Sequence, residues 1–229
     1  MAGTDPRDKL GDFGPAARMR TAILISGRGS NMAALIAAAR DPGYPAEVVL
    51  VVSNRSDAAG LALAREAGVV AVAIDHRPFR GDRAAHEAEI DAALRLAEVE
   101  IVCLAGYLRL LTPLLVETWS GRMLNIHPSL LPAFPGLDTH ARALAAGVKL
   151  HGCTVHLVTQ AMDAGPILAQ AAVPVLPGDT TETLAARVLV QEHRIYPMAL
   201  RCFAAGAGGE AAPADAALVN PRTAGRAIA

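Results

Sequence analysis

The sequence predicts a doubly wound α/β fold: a mainly parallel sheet with helices on both faces and antiparallel strand additions towards the C-terminal end. Three observations predict it. Strand-length apolar runs alternate with helix-length Ala- and Leu-rich segments from residue 19 to residue 127. The runs are continuous in Val, Ile and Leu, as strands covered on both faces are. After His127 the alternation stops, and two further strand-like runs flank a tight turn.

The first strand is Met19–Ile25, ending in Ser26-Gly27-Arg28-Gly29-Ser30-Asn31, and a helix follows to Arg40. Asp41-Pro42-Gly43-Tyr44-Pro45 breaks the chain before a second strand at 47–53. A helix over 58–67 has Asp57 as its expected N-cap and Gly68 as its stop. A third strand (69–74) leads to a longer helix (82–98) with Ile90, Ala93, Leu94 and Ala97 on one face. A fourth strand spans 99–105. Thr112 and Pro113 then serve as N-cap and first residue of a short helix to about Trp119. A fifth strand covers 123–126. Pro128, Pro132, Pro135 and Gly136 make 128–138 irregular. A helix at 139–146, strands at 152–158 and 167–173 around Asp163-Ala164-Gly165-Pro166, and a long helix at 180–203 capped by Thr180 or Thr181 complete the pattern. The domain is thus expected over 19–204, between a disordered leader (1–18) and a flexible Ala/Gly/Pro-rich tail (205–229).

Composition narrows the function classes. The chain has 229 residues, long enough to bury a core without disulfide or metal staples. Its net charge of −1 argues against a protein built to grip nucleic acid. A hydrophobic content of 52% excludes a mainly disordered chain, and no apolar run reaches the ~18 residues of a membrane span. Cys103, Cys153 and Cys202 are scattered with no C-x-x-C, which excludes zinc ribbons and points to reduced thiols in the cytoplasm.

Three places could carry chemistry. The loop Gly27-Arg28-Gly29-Ser30-Asn31 follows a strand and opens a helix. It is either a phosphate cradle made of backbone N–H groups or a plain tight turn. It is not a dinucleotide fingerprint, since Met32 takes the third glycine position and Ser53-Asn54-Arg55 offers no acidic ribose ligand. Nor is it a Walker A loop, which needs Gly-Lys-Ser/Thr. Asn125 and His127 lie two apart at a strand's carboxyl end, so their side chains share one side. They are a convergent amide and imidazole, or His127 caps the core. Asp163 is a turn former, unless the turn folds back on His127, where a carboxylate would favour the imidazolium. No G-x-S-x-G elbow supports a serine hydrolase. His151 and His156, five apart in one strand, face opposite sides and cannot share a metal. His76 and His86 are expected in solvent, Glu192 is a surface charge or a hydroxyl acceptor, and Cys103 belongs to the core.

Together these segments resemble the folate-dependent formyltransferases, and within them the glycinamide ribonucleotide branch of purine biosynthesis. The resemblance covers about residues 20–203. It rests on Ile25-Ser26-Gly27-Arg28-Gly29-Ser30-Asn31, Leu104-Ala105-Gly106-Tyr107-Leu108-Arg109, Asn125-Ile126-His127-Pro128-Ser129-Leu130-Leu131-Pro132, Phe134-Pro135-Gly136, His151-Gly152-Cys153-Thr154-Val155-His156, Asp163-Ala164-Gly165-Pro166 and Gln191-Glu192-His193-Arg194-Ile195-Tyr196-Pro197. Ala164 stands where many relatives have a second Gly, and Arg28 where a smaller polar residue is common. Neither change removes a catalytic group.

The resemblance implies a Rossmann-like fold and direct formyl transfer from 10-formyltetrahydrofolate to the amine of glycinamide ribonucleotide. Asn125 and a protonated His127 would donate to the formyl oxygen as it gains charge. Asp163 would hold His127, and a water, assisted by His127, would carry the proton from the attacking nitrogen to the folate nitrogen. Gly29, Ser30 and Asn31 would hold the phosphate and neighbouring groups, and Glu192 the ribose hydroxyls. Arg83, Leu108, Arg109, Leu110, Leu111 and Asn125 would form the folate site. No metal, nucleic acid or membrane partner is implied, and the chain would act as a monomer or homodimer. Ser129 and Cys103 need no nucleophilic role. The rivals are a formyltetrahydrofolate hydrolase, for whose extra N-terminal domain the leader leaves no room, and a methionyl-tRNA formyltransferase, for whose tRNA-binding domain the tail is too short. A noncatalytic nucleotide-binding module would leave Asn125, His127 and Asp163 unexplained, and a nicotinamide oxidoreductase conflicts with Met32.

Overall fold

The computed structural model describes residues 18–207, so the leader and tail expected from the sequence lie almost wholly outside the described residues. Arg18, expected in the leader, already belongs to the fold. Its guanidinium donates to the carbonyls of Ala39, Tyr44 and Ala46, tying the first strand to the end of the first helix.

Seven strands form one sheet: β1 (Met19–Ile25), β2 (Ala46–Ser53), β3 (Val70–Ala73), β4 (Ile101–Leu104), β5 (Met123–His127), β6 (Leu150–Leu157) and β7 (Ile167–Pro174). Their spatial order is β3-β2-β1-β4-β5-β6-β7. The first five are parallel, and β6 and β7 are antiparallel. This is the expected doubly wound sheet with its antiparallel additions. β5 runs one residue further than expected, and His127 pairs with Thr154 inside the sheet.

Among the described residues, six α-helices cover it: α1 (Ser30–Ala39), α2 (Ala59–Glu66), α3 (Arg83–Leu96), α4 (Pro113–Thr118), α5 (Thr139–Ala145) and α6 (Thr181–Cys202). Alternation along the strands splits the core in two. Ile23, Ile25, Leu124 and Ile126 point to the side packed by α1 and α6, where Leu35, Leu184, Val188 and Ile195 bury fully. Ala22, Leu24 and Val102 point to the other side, against Ile90 and Leu94 of α3 and Leu115 of α4. Each buried Leu or Ile contributes ~1.5–3 kcal/mol of hydrophobic stabilisation. Among the described residues, no helix is long and apolar enough to cross a membrane.

Most caps follow the sequence. Asp82 accepts from the Ala85 amide at 3.0 Å to start α3. Thr180, rather than Thr181, caps α6 in a reciprocal pair with Thr183. Asp57 does not cap α2: the N-cap is Ala58, and Asp57 pairs with Arg55 at 2.7 Å. A guanidinium two residues back offers the carboxylate two donors in a fork, which outcompete a helix amide. Thr112 and Pro113 open α4 as expected, but Thr112 gives its backbone N–H and hydroxyl to the buried Glu87 of α3. That contact ties the end of the 106–112 segment to α3.

Candidate active site

The strand order reverses between β1 and β4, because β1 leads outward to β2 while the chain returns to β4 on the other side. In such sheets the carboxyl ends of the strands at this switch open a crevice that ligands use. A cavity of about 610 Å³ lies here. It is lined by Asn31 after β1, residues 106–111 after β4, residues 125–128 of β5 and its exit, and His156 and Asp163 from β6 and its following turn. Thr181 and Glu192 of α6 and residues 136–141 add to the lining.

Alternation in β5 decides which side chains reach this space. Leu124 and Ile126 enter the α1/α6 core, so Asn125 and His127 point the other way, into the cavity. Asn125 pairs across the sheet with His156, and His127 with Thr154. Directly opposed residues share a face, so all four side chains gather on one side of the sheet.

Asn125 Nδ2 lies 3.1 Å from His156 Nε2. His156 Nδ1 lies 2.9 Å from the Leu157 carbonyl, which can only accept, so Nδ1 carries the proton. Burial pushes the His156 imidazole below its ordinary value and keeps it neutral, against the opposing pull of Asp163. Nε2 therefore accepts from Asn125, which fixes the carboxamide with its second N–H free.

Asp163 folds back as the sequence allowed. Its Oδ2 is 3.4 Å from His127 Nδ1 and accepts from the Gly136 amide at 2.8 Å, and its Oδ1 is 3.8 Å from His156 Nε2. His127 Nε2 lies 3.1 Å from the Phe134 carbonyl, so both nitrogens of His127 face oxygen atoms. His127 is 6% exposed and Asp163 sits at a left-handed φ of 53°, a strained conformation that clusters at functional sites.

In the same cavity, Asn31 Nδ2 donates to Glu192 Oε2 at 2.6 Å. Burial pushes the Glu192 carboxyl above its ordinary value, while the Asn31 amide opposes the shift. Asn31 Oδ1 is buried without a hydrogen-bond partner, a group left for something outside the chain. Gly29 takes a left-handed φ of 77° as N-cap of α1, whose first turn carries no acidic side chain. Gly29 and Ser30 stand beside the cavity wall formed by Asn31 and do not themselves line it.

Leu108, Arg109, Leu110 and Leu111 line the cavity. Leu108 and Leu110 are 76% and 63% exposed, an apolar surface that a flat ligand would cover. Arg83 does not line it. Arg83 is exposed at the start of α3, and its Nη1 reaches the Leu110 carbonyl at 3.5 Å. It braces the 108–111 segment from outside.

His86 is not solvated. It is buried, its Nε2 lies 2.7 Å from the Ile74 carbonyl, and its ring packs edge-on against Phe79. His76 is half-buried against Asn54. The neighbours of His86 come from the segment after β3 and that of His76 from just past the end of β2, which periodicity alone could not place. His151 and His156 have separate surroundings, the former meeting His140 and Phe134. Burial pushes His151 down to about 4. Among the described residues, no group of three or more His, Cys, Asp or Glu is arranged to hold a metal ion. Ser129 bonds the Ala133 carbonyl and Cys103 is fully buried, so neither reaches the cavity.

The residues missed by sequence reasoning are His156, Thr154 and Thr139. Thr154 Oγ1 donates to the Ser129 carbonyl and accepts from the Leu131 amide, fixing the loop after His127. Thr139 Oγ1 donates to the Pro128 carbonyl and closes the base of the same loop. Cross-strand register was the signal that could have found the first two.

The sequence profile of the formyl transferase family matches residues 19–200. The trifunctional purine biosynthetic protein adenosine-3 of Bos taurus is 49% identical over 190 residues, covering 83% of this chain and 19% of that one. The chain thus spans about a fifth of the length of that curated relative. Phosphoribosylglycinamide formyltransferase of Escherichia coli strain K12 is 44% identical over 188 residues, covering 82% of this chain and 88% of the relative. Among solved structures, phosphoribosylglycinamide formyltransferase from Brucella melitensis is 60% identical with a TM-score of 0.78, covering 82% of this chain and 97% of that one.

Proposed function

The chain belongs to the formyl transferase family, and from that membership we propose that it moves the formyl group of 10-formyltetrahydrofolate to the amine of glycinamide ribonucleotide. The observation that carries the proposal is one cavity lined by two differently built clusters. Asn125, His127 and Asp163 form one, and Asn31 and Glu192 the other.

The folate is the formyl donor and a substrate. Its flat ring system suits the apolar segment Leu108–Leu111, with Arg83 bracing that segment from behind. The acceptor's phosphate suits the α1 N-terminus at Gly29 and Ser30, where free backbone N–H groups and the helix dipole favour an anion. Asn31 Oδ1 and the Glu192 carboxylate can accept from sugar hydroxyls.

The acceptor nitrogen attacks the formyl carbon, and the bond from that carbon to the folate nitrogen breaks. Negative charge develops on the formyl oxygen before that break. The free N–H of Asn125 supplies one donor to it, and we assign the second to His127 Nε2, which would exchange the Phe134 carbonyl for the formyl oxygen to make that bond. Asp163 holds the His127 ring from the Nδ1 side. The proton lost by the acceptor nitrogen returns to the folate nitrogen through water, with His127 at hand.

Formyltetrahydrofolate hydrolysis would use the Asn125–His127–Asp163 cluster and leave Asn31 and Glu192 idle. The phosphate separates the two readings. Glycinamide ribonucleotide should be a far better acceptor than the unphosphorylated riboside, in turnover as well as KM, because binding energy from the remote phosphate positions the amine. Ser30→Ala with Asn31→Ala should shrink that advantage while leaving the KM for folate within about twofold. Equal use of both acceptors by the wild-type protein would refute the phosphate assignment.

A further inference from the structure

We propose that Arg142 of α5 is a positioning residue that holds the strap of residues 134–138, and through it His127 and Asp163, in register; the inference rests on the formyl-transfer reading of the same cavity.

The strap is part of the reactive set, although its side chains are not. The Phe134 carbonyl lies 3.1 Å from His127 Nε2, and the Gly136 amide donates to Asp163 Oδ2 at 2.8 Å. The backbone of two strap residues therefore holds the two groups that the mechanism uses. The strap needs an external brace, because Phe134, Gly136 and Asp138 all sit at left-handed φ values of 53°, 79° and 55°. Phe134 carries a side chain that disfavours this region, which Gly and Asp tolerate.

The two halves of the 128–138 loop are held differently. The first half is fixed from the sheet: Thr154 bonds the Ser129 carbonyl and the Leu131 amide, and Gln170 bonds the Leu131 carbonyl. The second half has no contact of that kind. Its backbone partners outside the strap are His127, Asp163 and Arg142. Arg142 Nη1 donates to the Pro135 carbonyl at 2.5 Å and to the Leu137 carbonyl at 3.2 Å, and its guanidinium lies 5.7 Å from the centre of the Phe134 ring. A planar cation with several fixed donors suits two neighbouring carbonyls and an aromatic face at once. Arg142 itself does not line the cavity. Without its guanidinium, the Pro135 and Leu137 carbonyls would lose their partner, and between the Phe134 ring on His151 and the Asp138 carbonyl on the Arg142 amide the strap backbone would be held by the two reactive side chains, which would then move with it.

The test compares Arg142→Ala and Arg142→Lys with the wild-type chain in two measurements. Amide hydrogen exchange reads the strap directly and needs no turnover. The Gly136 and Leu137 amides should exchange faster in Arg142→Ala, with β5 and α6 unchanged. Steady-state kinetics reads the consequence. In Arg142→Ala, kcat should fall about tenfold, since small misplacements of a reacting group cost that much or more, while the KM for glycinamide ribonucleotide stays within about twofold. Arg142→Lys, or millimolar guanidinium added to Arg142→Ala, should restore part of the loss. Unchanged exchange in the strap, an unchanged or raised kcat, or a loss seen equally in acceptor KM would overturn the proposal. If the wild-type chain transfers no formyl group at all, the functional reading fails, and the exchange result alone then decides whether Arg142 holds the strap.

Discussion

At the residue scale, the site depends on which atom of Asn125 faces the cavity. A carboxamide can present a donor or an acceptor, and only a donor can stabilise a developing oxyanion. His156 settles this. Its Nδ1–H is spent on the Leu157 carbonyl and its Nε2 accepts, so the amide nitrogen of Asn125 turns towards it and keeps a second N–H free. Asn125→Ala should lower kcat by ~10²–10³-fold, the usual effect of losing one oxyanion donor. Asn125→Asp should be at least as poor, because it replaces the donor with a negative charge. Single-turnover rates at saturating levels of both substrates would check this, and a loss of less than about fivefold in Asn125→Ala would exclude the donor role. Residue type and local spacing singled out Asn125, His127 and Asp163 as candidates with other readings open, and only the family resemblance gave them roles. His156 was read only as a strand histidine, and Arg142 not at all. Their roles arise from register across β5 and β6 and from a loop conformation, neither of which local spacing encodes.

At the scale of elements, the hairpin of β6 and β7 presents Asp163 to the rest of the site. Its turn was readable from Asp163-Ala164-Gly165-Pro166, but the reason for Gly165 emerges only in three dimensions. A Cβ on Gly165 would lie 1.8 Å from the Leu157 carbonyl oxygen, the same oxygen that accepts from His156 Nδ1. Gly165→Ala should therefore displace that carbonyl, costing about 1–3 kcal/mol of stability as an overpacking change, and lower kcat through Asp163 and His156. Thermal unfolding and turnover measured on the same preparation would check both effects; an unchanged Tm would show that the turn can relax. The helices illustrate a second limit of sequence reading. Asp57 had the residue type of an N-cap, yet its carboxylate was taken by Arg55, a competition that the composition of the turn shows only in retrospect. Boundaries elsewhere lay within a residue or two of expectation, because continuous Val/Ile/Leu runs and Gly or Pro breaks mark strand ends strongly.

At the scale of the whole molecule, the strand order does the assembly. Reversal between β1 and β4 opens the crevice, β5 supplies Asn125 and His127 beside it, and the antiparallel return of β6 and β7 brings His156 and Asp163 onto the same face. Asn31 from the start of α1 and Glu192 from the middle of α6 are 161 residues apart in sequence and 2.6 Å apart in space. The parallel sheet could be read from the alternation of strand and helix, whereas the meeting of these distant residues could be expected only through resemblance. If the cavity holds two substrates and passes a formyl group between them, the folate must lose its formyl group only when the acceptor is present. The absorbance change of 10-formyltetrahydrofolate on conversion to tetrahydrofolate, followed with and without glycinamide ribonucleotide, reads this. Conversion should require the ribonucleotide and yield one formylated acceptor per folate consumed. Conversion at the same rate without the acceptor would contradict it and make water the formyl acceptor.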